Sequence, residues 1–484
     1  MKGRFLRLFI TAIFVFSLIP VTLLQQVSPV EATPGWTQSS GMTGVDKFLL
    51  DSCVIKDGTT YRMWYTHLSL DVSITDLFGY VKDLNLHNAL TALQGNDFNG
   101  LLNALADLNT TASSDALWNI LGHMRTEIGY ADSTDGKNWT HVNSNVLSTT
   151  GNFFNSVGFP SVIKAGTNNY KMWYTSLISS LNSGPTGLPS ILTDMGSATP
   201  SVRRGAFDSL LNSTYSVIKY ADTTAADGSS GWTNITTALD MTTGVTAWKS
   251  LYSVGAPSVV LDGSTYKMWY TRLQTNFDGT ALTNILTKIA AHTISMSDLT
   301  GILNNSALVI GYATDTSGGH DGSTFGVVNP QVLPGASLSP IDIRQSVADP
   351  CVIPVPGGGF EMWYSNGVTN LHAAGLSNIF TEIKGLNLHS VWTSLQGGSL
   401  SDFLTQLSHL SFTDLENTLT GTSAVIGHAT SANGTGWTVQ NSSELVGAAN
   451  TPWSSVGGPS VVKSPTQAEM VYSGYSGIAY TRHF

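Results

Sequence analysis

The sequence predicts an all-β fold, a single five-bladed β-propeller built from four-stranded blades. The first observation is a repeat, because Tyr-Lys-Met-Trp-Tyr-Thr occurs twice without change, at residues 170–175 and 266–271. Near copies occupy residues 61–66, 360–365 and 468–473. The second observation is that three other strand patterns recur around each copy in the same order. Five copies of one supersecondary unit indicate a repeat architecture rather than several separate domains.

Each unit contains four predicted strands. A short apolar strand leads through a turn, which contains glycine in most copies, into the Met-Trp-Tyr strand. A third strand of the type Ile-Gly-Tyr-Ala follows, and a polar hairpin then leads to a fourth strand that in most copies opens on Trp-Thr. The third strands begin at Ile128, Ile218, Ile310, Ile426 and Ile478, and the fourth strands begin at Trp139, Trp232, Phe325 and Trp437. Four short antiparallel strands that repeat in this order are typical of a propeller blade.

The two chain ends predict closure of the ring. The fifth unit stops after its third strand, at residues 478–484, and has no fourth strand of its own. Trp36 and Thr37 match the opening of a fourth strand. We therefore expect the first residues of the mature chain to complete the last blade, which removes exposed sheet edges.

Long insertions separate the second and third strands of four blades, whereas blade five has a tight turn there. The insertions span about residues 66–127, 175–216, 271–308 and 365–424. Several stretches have helical spacing, such as the apolar residues from Ile74 to Val81. Ser73 and Asp76 precede and open this stretch in the pattern of a capping box. The insertions are therefore predicted to be α-helical.

The first and fourth insertions are copies of each other. Residues 82–95 align with residues 384–397, and the blades that carry these insertions share an Asp and a Cys on the innermost strand. The four residues are Asp51, Cys53, Asp349 and Cys351. Because antiparallel strands reverse at each connection, the insertions should surround the mouth where each innermost strand begins. We expect the two related insertions to form the walls of a groove above blade five.

Two pairs of residues leave alternatives open. Cys53 and Cys351 form either a disulfide, which an exported protein permits, or two buried thiols, which the separation of their repeats favours. His87 and His389 occupy matched positions in the related insertions. They are either metal ligands or packing residues at a helix start, and no acidic partner lies at ligand spacing. No metal is predicted, and no cofactor is expected, since polar hairpins such as residues 132–138 lack EF-hand spacing for structural calcium.

The first 32 residues predict a secretory signal peptide. Lys2, Arg4 and Arg7 precede an apolar stretch over residues 8–24, and small residues precede a cleavage site after Ala32. A signal anchor is the alternative. Residues 33–484 then form the propeller, with no further stretch of the roughly 20 apolar residues that span a membrane. We expect a secreted, extracellular protein. The net charge of −10 without a basic run argues against nucleic-acid binding.

The strand motifs carry a family resemblance. The pattern Asp-Pro-x-Val, a turn, Tyr-x-Met-Trp-Tyr-Ser and then Ile-Gly-Tyr-Ala-x-Ser-x-Asp-Gly-x-x-Trp resembles the five-bladed propeller glycoside hydrolases, which include families 43, 32, 68 and 130. The resemblance covers the propeller strands and not the helical insertions. It implies an inner-strand Asp as base or nucleophile, a second inner-strand Asp that orients substrate or adjusts a pKa, and a Glu as acid.

The resemblance assigns these roles to particular residues. Asp51 matches the first role, although Ser52 replaces the usual Pro, and Asp349 matches an inner-strand Asp in form. No Glu lies on an inner strand, so Glu127, at the rim before the third strand of blade one, is the candidate acid. Glycoside hydrolysis requires two carboxyl groups that face one bond, ~5–5.5 Å apart for retention or ~6.5–9.5 Å for inversion. The alternative for both Asp residues is structural, as partners of neighbouring backbone N–H groups.

Three residues are candidates for substrate binding. His67, Arg272 and Asn366 follow the Met-Trp-Tyr strands on the same rim, and polar loop starts are the alternative interpretation. The sequence therefore predicts a propeller that binds oligo- or polysaccharide at a capped funnel and that hydrolyses it if the acids converge. The alternative is a non-catalytic surface, adhesion or scaffold module whose helical cap contacts another protein or a second copy of itself.

Overall fold

A computed structural model of the protein contains five four-stranded antiparallel sheets, as the repeat predicts. The structure describes residues 36–38, 42, 44, 49–95, 97–147, 152–181, 187–277, 279–333, 346–368, 378, 381–386, 388–410, 414, 417, 423–447, 454–464, 467–474 and 477–483. The predicted signal peptide, residues 1–32, lies outside the described residues. Among the described helices, none has the length and apolar character needed to cross a membrane.

The strands follow the chain from blade to blade. Blade one contains β2 (Leu49–Asp57), β3 (Thr60–Leu70), β4 (Met124–Ser133) and β5 (Thr140–Leu147). Blade two contains β6 (Val157–Gly166), β7 (Asn169–Ser179), β8 (Thr214–Thr223) and β9 (Thr233–Leu239). Blade three contains β10 (Val254–Asp262), β11 (Thr265–Thr275), β12 (Ser306–Asp315) and β13 (Phe325–Leu333). Blade four contains β14 (Val347–Pro354), β15 (Phe360–Val368), β16 (Ser423–Ser431) and β17 (Thr438–Leu445). Blade five contains β18 (Val456–Ser464), β19 (Gln467–Gly474), β20 (Gly477–His483) and β1 (Trp36–Gln38).

The innermost strands form a closed cycle. β2, β6, β10, β14 and β18 each contact the next, and β18 contacts β2. In blade five, β1 pairs antiparallel with β20, with Trp36 opposite His483. Trp36 is buried against Trp363 and Val456, and its indole Nε1 donates to Glu444 Oε1 at 3.0 Å. The first and last described strands therefore share one sheet, which closes the five blades into a propeller.

The tryptophan of each Met-Trp-Tyr strand ties its blade to the next. The buried indoles of Trp64, Trp173 and Trp269 donate to the carbonyls of Gly228, Gly322 and Gly434, at 3.0, 2.7 and 2.8 Å. Each acceptor lies in the hairpin between the third and fourth strands of the following blade. Trp363 faces blade five, where two chain ends replace that hairpin. Its buried Nε1 accordingly has no acceptor within the described part of the chain.

A bulge near the start of every inner strand carries a second set of bonds between blades. The bulged residues all have positive φ, from 40° to 54°, and are Asp51, Phe159, Ala256, Asp349 and Gly458. The backbone N–H of each donates to the hydroxyl that ends the Met-Trp-Tyr motif of the preceding blade. The acceptors are Ser473, Thr66, Thr175, Thr271 and Ser365, at 2.8–2.9 Å. The repeat thus encodes a closed ring of five hydrogen bonds.

A parallel ring explains the cysteines. The backbone N–H groups of Val54, Val162, Val259, Val352 and Val461 donate to Ser460, Cys53, Ser161, Ser258 and Cys351 of the preceding blades. Cys53 and Cys351 therefore replace serine as acceptors, and both are free thiols rather than a disulfide. Burial raises the pKa of Cys53 to about 12 and that of Cys351 to about 11, so both stay protonated.

The described residues of the insertions include ten helices whose bounds are defined. The first contains α1 (Ile74–Asp83), α2 (His87–Gln94), α3 (Phe98–Ala106) and α4 (Thr111–Gly122); the second contains α5 (Leu188–Met195) and α6 (Pro200–Ser213); the third contains α7 (Gly279–Ala290) and α8 (Met296–Asn304); the described part of the fourth contains α9 (Leu388–Gln396) and α10 (Leu400–Ser408). Helix α1 begins after Ser73, whose side chain accepts from the backbone N–H of Asp76. The Asp76 carboxylate bonds the Ser73 hydroxyl at 2.6 Å.

The helices pack into a cap with its own hydrophobic core. One cluster joins the first, second and fourth insertions, and it includes Leu77, Ile191 and Trp392. Phe78 in α1 packs against Phe403 in α10, with ring centres 5.5 Å apart. The two related insertions therefore touch each other across blade five. The groove above blade five that the sequence suggested remains a prediction, and its two proposed walls contact each other through Phe78 and Phe403.

The ring of bulge bonds predicts a stability cost. Thr175→Val removes the acceptor of the Ala256 N–H, which is bonded at 2.8 Å. We expect a loss of about 1–3 kcal/mol in the free energy of unfolding, because a backbone donor between blades loses its partner. Urea denaturation measures the change. Thr236→Val, on the exposed outer strand β9, is the matched control. An equal loss in both variants would contradict a stabilising role for the bond between Ala256 and Thr175.

Candidate active site at the mouth of the propeller

The bulge does not by itself require aspartate. The backbone N–H of the bulged residue is bonded by a neighbouring hydroxyl in all five blades, including those with Phe159 and Ala256. Positive φ also occurs in all five, so backbone strain belongs to the scaffold rather than to the acids. Asp tolerates this conformation better than most residues, but Asn and Gly tolerate it without a charge. The backbone therefore does not explain why Asp51 and Asp349 carry charged side chains. The explanation must lie in the surroundings of these side chains.

The two aspartates lie on either side of blade five. Asp51 lies near the start of β2, the inner strand of blade one, and Asp349 lies near the start of β14, the inner strand of blade four. Both side chains are half-buried. Burial, and then the nearby charge of Asp349, raises the pKa of Asp51 well above its usual value of 3.8. Burial also raises the pKa of Asp349, although a hydrogen bond from the Ser365 side chain opposes that rise. The charge of Asp349 is thus near enough to favour the protonated form of Asp51.

Gly458 provides the space between them. This residue is the blade-five counterpart of the two aspartates, with φ of 54°. A Cβ atom at this position would lie 2.4 Å from Asp51 Oδ1 and 3.3 Å from Ser473 Oγ. The Asp51 carboxylate therefore occupies the volume that a side chain on blade five would fill. Glycine at 458 is therefore required by the carboxylate, since the other four blades adopt the same backbone conformation without glycine.

The third predicted acid, Glu127, is held in a different environment. It lies opposite His67 in the sheet of blade one, and only 4% of its surface is exposed. Its Oε1 accepts from Arg125 Nε at 2.8 Å and from Asn145 Nδ2 at 3.2 Å. Arg125 also pairs with Asp71 at 3.1 Å. This carboxylate belongs to a charged network at the base of the first insertion.

The predicted substrate-binding residues occupy the same repeat position in three blades. His67 pairs with Leu49, Arg272 with Val254 and Asn366 with Val347, each at the start of an inner strand. Asn366 donates to the carbonyl of Ser442 at 2.8 Å. Arg272 donates to Gln274 at 2.8 Å, and burial lowers its pKa. The latter two polar groups are therefore engaged within their own blades.

Two residues of this site escaped the sequence interpretation. Ser365 bonds the Asp349 carboxylate and also accepts the Gly458 N–H at 2.9 Å. Ser473 accepts the Asp51 N–H. Both end the Met-Trp-Tyr motif of their blades, so the repeat itself carried the signal. Within the described residues, no three side chains of His, Cys, Asp or Glu are grouped to hold a metal ion.

Of the family models, curated proteins and solved structures compared with the chain, only solved structures match. No protein-family model matches the chain, and no curated protein is similar to it. Solved structures of glycoside hydrolases do match. A structure titled glycoside hydrolase is 10% identical with a TM-score of 0.46, covering 96% of this chain and 94% of its own. A glycosyl hydrolase from Bacteroides ovatus is 9% identical with a TM-score of 0.41, covering 94% and 90%.

A family 117 glycoside hydrolase from Zobellia galactanivorans gives similar values. It is 10% identical with a TM-score of 0.42, and the match covers 94% of this chain and 91% of that one. At such identities and TM-scores, the likeness assigns neither a family nor an activity to the chain. The fold description above rests on the strand pairing and the closed cycle of inner strands.

The acid pair predicts a pH dependence of stability. Because both folded-state pKa values are raised, the native protein binds these protons more tightly than the unfolded chain. The stabilisation is complete below the usual Asp pKa of 3.8 and is lost as pH rises through the folded pKa values. We expect Asp51→Asn to gain stability relative to wild type as pH rises from about 4 to 8. Thermal melts across this range measure the difference.

The control for this measurement is Asp402→Asn, at an exposed position on α10. Its stability difference from wild type should stay flat with pH. A flat difference for Asp51→Asn as well would show that the folded state does not raise the pKa of Asp51.

Proposed function

We propose that the protein binds oligo- or polysaccharide at the mouth of the propeller and hydrolyses a glycosidic bond with Asp51 and Asp349. The observation that carries this proposal is the acid pair itself. Burial and a neighbouring negative charge raise the pKa of a carboxyl group, and two such half-buried groups lower the stability of the fold. Such pairs are also the means by which enzymes keep one carboxyl group protonated beside an ionised one.

The hydrogen bonds suggest how the proton is divided. Ser365 donates to Asp349 and stabilises its carboxylate, whereas the charge of Asp349 favours the protonated form of Asp51. In this proposal Asp51 protonates the departing glycosidic oxygen. Asp349 then activates a water molecule or attacks the anomeric carbon. The family resemblance implies the reverse for Asp51, as base or nucleophile, with Glu127 as the acid.

Glu127 is less suited to the acid role in this arrangement. A general acid must reach the departing oxygen of the substrate, and the Glu127 side chain is buried, with its Oε1 held by Arg125 at 2.8 Å. Its proposed role is to orient substrate at the rim, together with His67 on the neighbouring strand. Arg272 and Asn366 are the proposed contacts on blades three and four.

Blade five carries no helical insertion, which favours substrate access on that side of the mouth, next to Asp51 and Asp349. Blade five joins its second and third strands through the short link between β19 and β20, whereas the other four blades carry helices there. Asp51 and Asp349 flank this blade. We therefore propose that a glycan reaches the pair from the side, above blade five and beneath the bridged insertions. An exported protein would meet such glycans outside the cell.

A second candidate function is a non-catalytic surface or scaffold module. The observation in its favour is the contact between the first and fourth insertions through Phe78 and Phe403. Against it, the apolar faces of the helices pack into a shared core that joins three insertions. Those faces are then not open for a partner protein or for self-association, so we rank this function second.

A chromogenic screen with arabinosides, xylosides, fructosides and mannosides tests the hydrolase. We expect Asp51→Asn and Asp349→Asn each to lower kcat/KM by roughly 10²–10⁴-fold, as for loss of a general acid or base. Glu127→Gln should lower it by no more than about tenfold if Asp51 supplies the proton. A larger loss for Glu127→Gln than for Asp51→Asn would reverse the acid assignment.

Asp402→Asn is the control for charge removal on the same face and should retain full activity. Thermal melts establish that each variant is folded. Activity that survives both Asp51→Asn and Asp349→Asn would end the catalytic proposal. Glycan-array binding by a protein that cleaves nothing would leave a carbohydrate-binding role, and neither binding nor cleavage would favour the scaffold.

A further inference from the structure

The contact between the two related insertions has the form of a two-fold interface. His87 in α2 and His389 in α9 are counterparts in the aligned copies, and their rings contact each other. The ring centres are 6.1 Å apart and the planes meet at 65°. A residue that touches its own counterpart marks a self-complementary contact between related elements. Gln396 Nε2 also donates to the carbonyl of Lys82 at 3.0 Å across the same seam.

Both histidines are exposed to solvent. They therefore add little to the hydrophobic core of the cap, which is formed by neighbours such as Trp392 and Leu395 on α9. Packing alone does not require imidazole at two matched, exposed positions. Imidazole is, however, the common protein ligand of zinc, copper and nickel.

The spacing of the rings agrees with shared coordination. An ion bound about 2.0–2.1 Å from one nitrogen of each ring holds the two ring centres roughly 5–6.5 Å apart. The observed 6.1 Å lies within this interval. No third His, Cys, Asp or Glu completes a group among the described residues. Water molecules would fill the remaining positions, and Lys82, which lies at the same seam beside Gly398, limits the affinity.

We propose that His87 and His389 form a two-histidine site for a late divalent transition metal such as Zn²⁺, Ni²⁺ or Cu²⁺. The ion would join the first insertion to the fourth and fix the bridge above blade five. This inference does not depend on the proposed hydrolase activity. The binding is labile, because two of four ligands are water.

Titration of the full chain with ZnCl₂ tests the site, with calorimetry and thermal melts as readouts. We expect binding of one Zn²⁺ and a rise in Tm, and MgCl₂ should give neither, because Mg²⁺ prefers oxygen ligands. His87→Gln and His389→Gln should each raise the Kd by roughly tenfold or more, since half of the protein ligands are lost.

His409→Gln is the matched control, an exposed histidine in the same insertion, and its Kd should equal that of wild type. Hydrogen exchange provides a second readout, with Zn²⁺ slowing exchange in α2 and α9 of wild type alone. Absence of Zn²⁺ binding, or a Kd for His87→Gln and His389→Gln equal to that of wild type, would overturn the proposal.

Discussion

Hydrogen bonds between blades hold the architecture on which every other feature depends. A propeller blade buries both faces against its neighbours, but its innermost strands must also satisfy backbone groups where they bend at the bulge. The hydroxyl at the end of each Met-Trp-Tyr motif accepts the bulge N–H of the next blade, and this occurs five times around the ring. Because these donors lie between packed sheets, leaving one unpaired is costly. The repeated Thr or Ser is therefore a structural requirement.

The same ring sets the context for the acid pair. Every bulged residue has positive φ, whatever the chemistry of its side chain. Phe159 and Ala256 show that the scaffold accepts apolar residues there, and Gly458 makes room for the Asp51 carboxylate. Placing charges at Asp51 and Asp349 then opposes stability, since burial and mutual repulsion raise the pKa of Asp51. A stability cost that the scaffold does not need points to a use for the charge.

The helical cap makes the five blades of the propeller unequal. Four blades carry helices, and the two insertions that are copies of each other stand on the blades with the two acids. Their contact through Phe78 and Phe403, and through His87 and His389, spans the blade that lacks an insertion. Function is therefore expected in this sector, where the repeats differ, rather than in the residues that they share. The unpaired indole of Trp363 belongs to the same asymmetry, because blade five is completed by two chain ends.

The sequence alone determined the strand order, the number of blades and the positions of the acids, because the repeat is local and each copy supports the others. The motif Tyr-x-Met-Trp-Tyr-Thr identifies the second strand of each blade, and Asp51 and Asp349 lie on the inner strand that precedes it. Only the tertiary structure decided that the thiols are free, that Ser365 bonds Asp349 and that Glu127 is paired with Arg125. These outcomes depend on which side chains meet across blades and strands. Distances between residues far apart in the chain are set by ring closure and cap packing, and sequence periodicity contains no information about them.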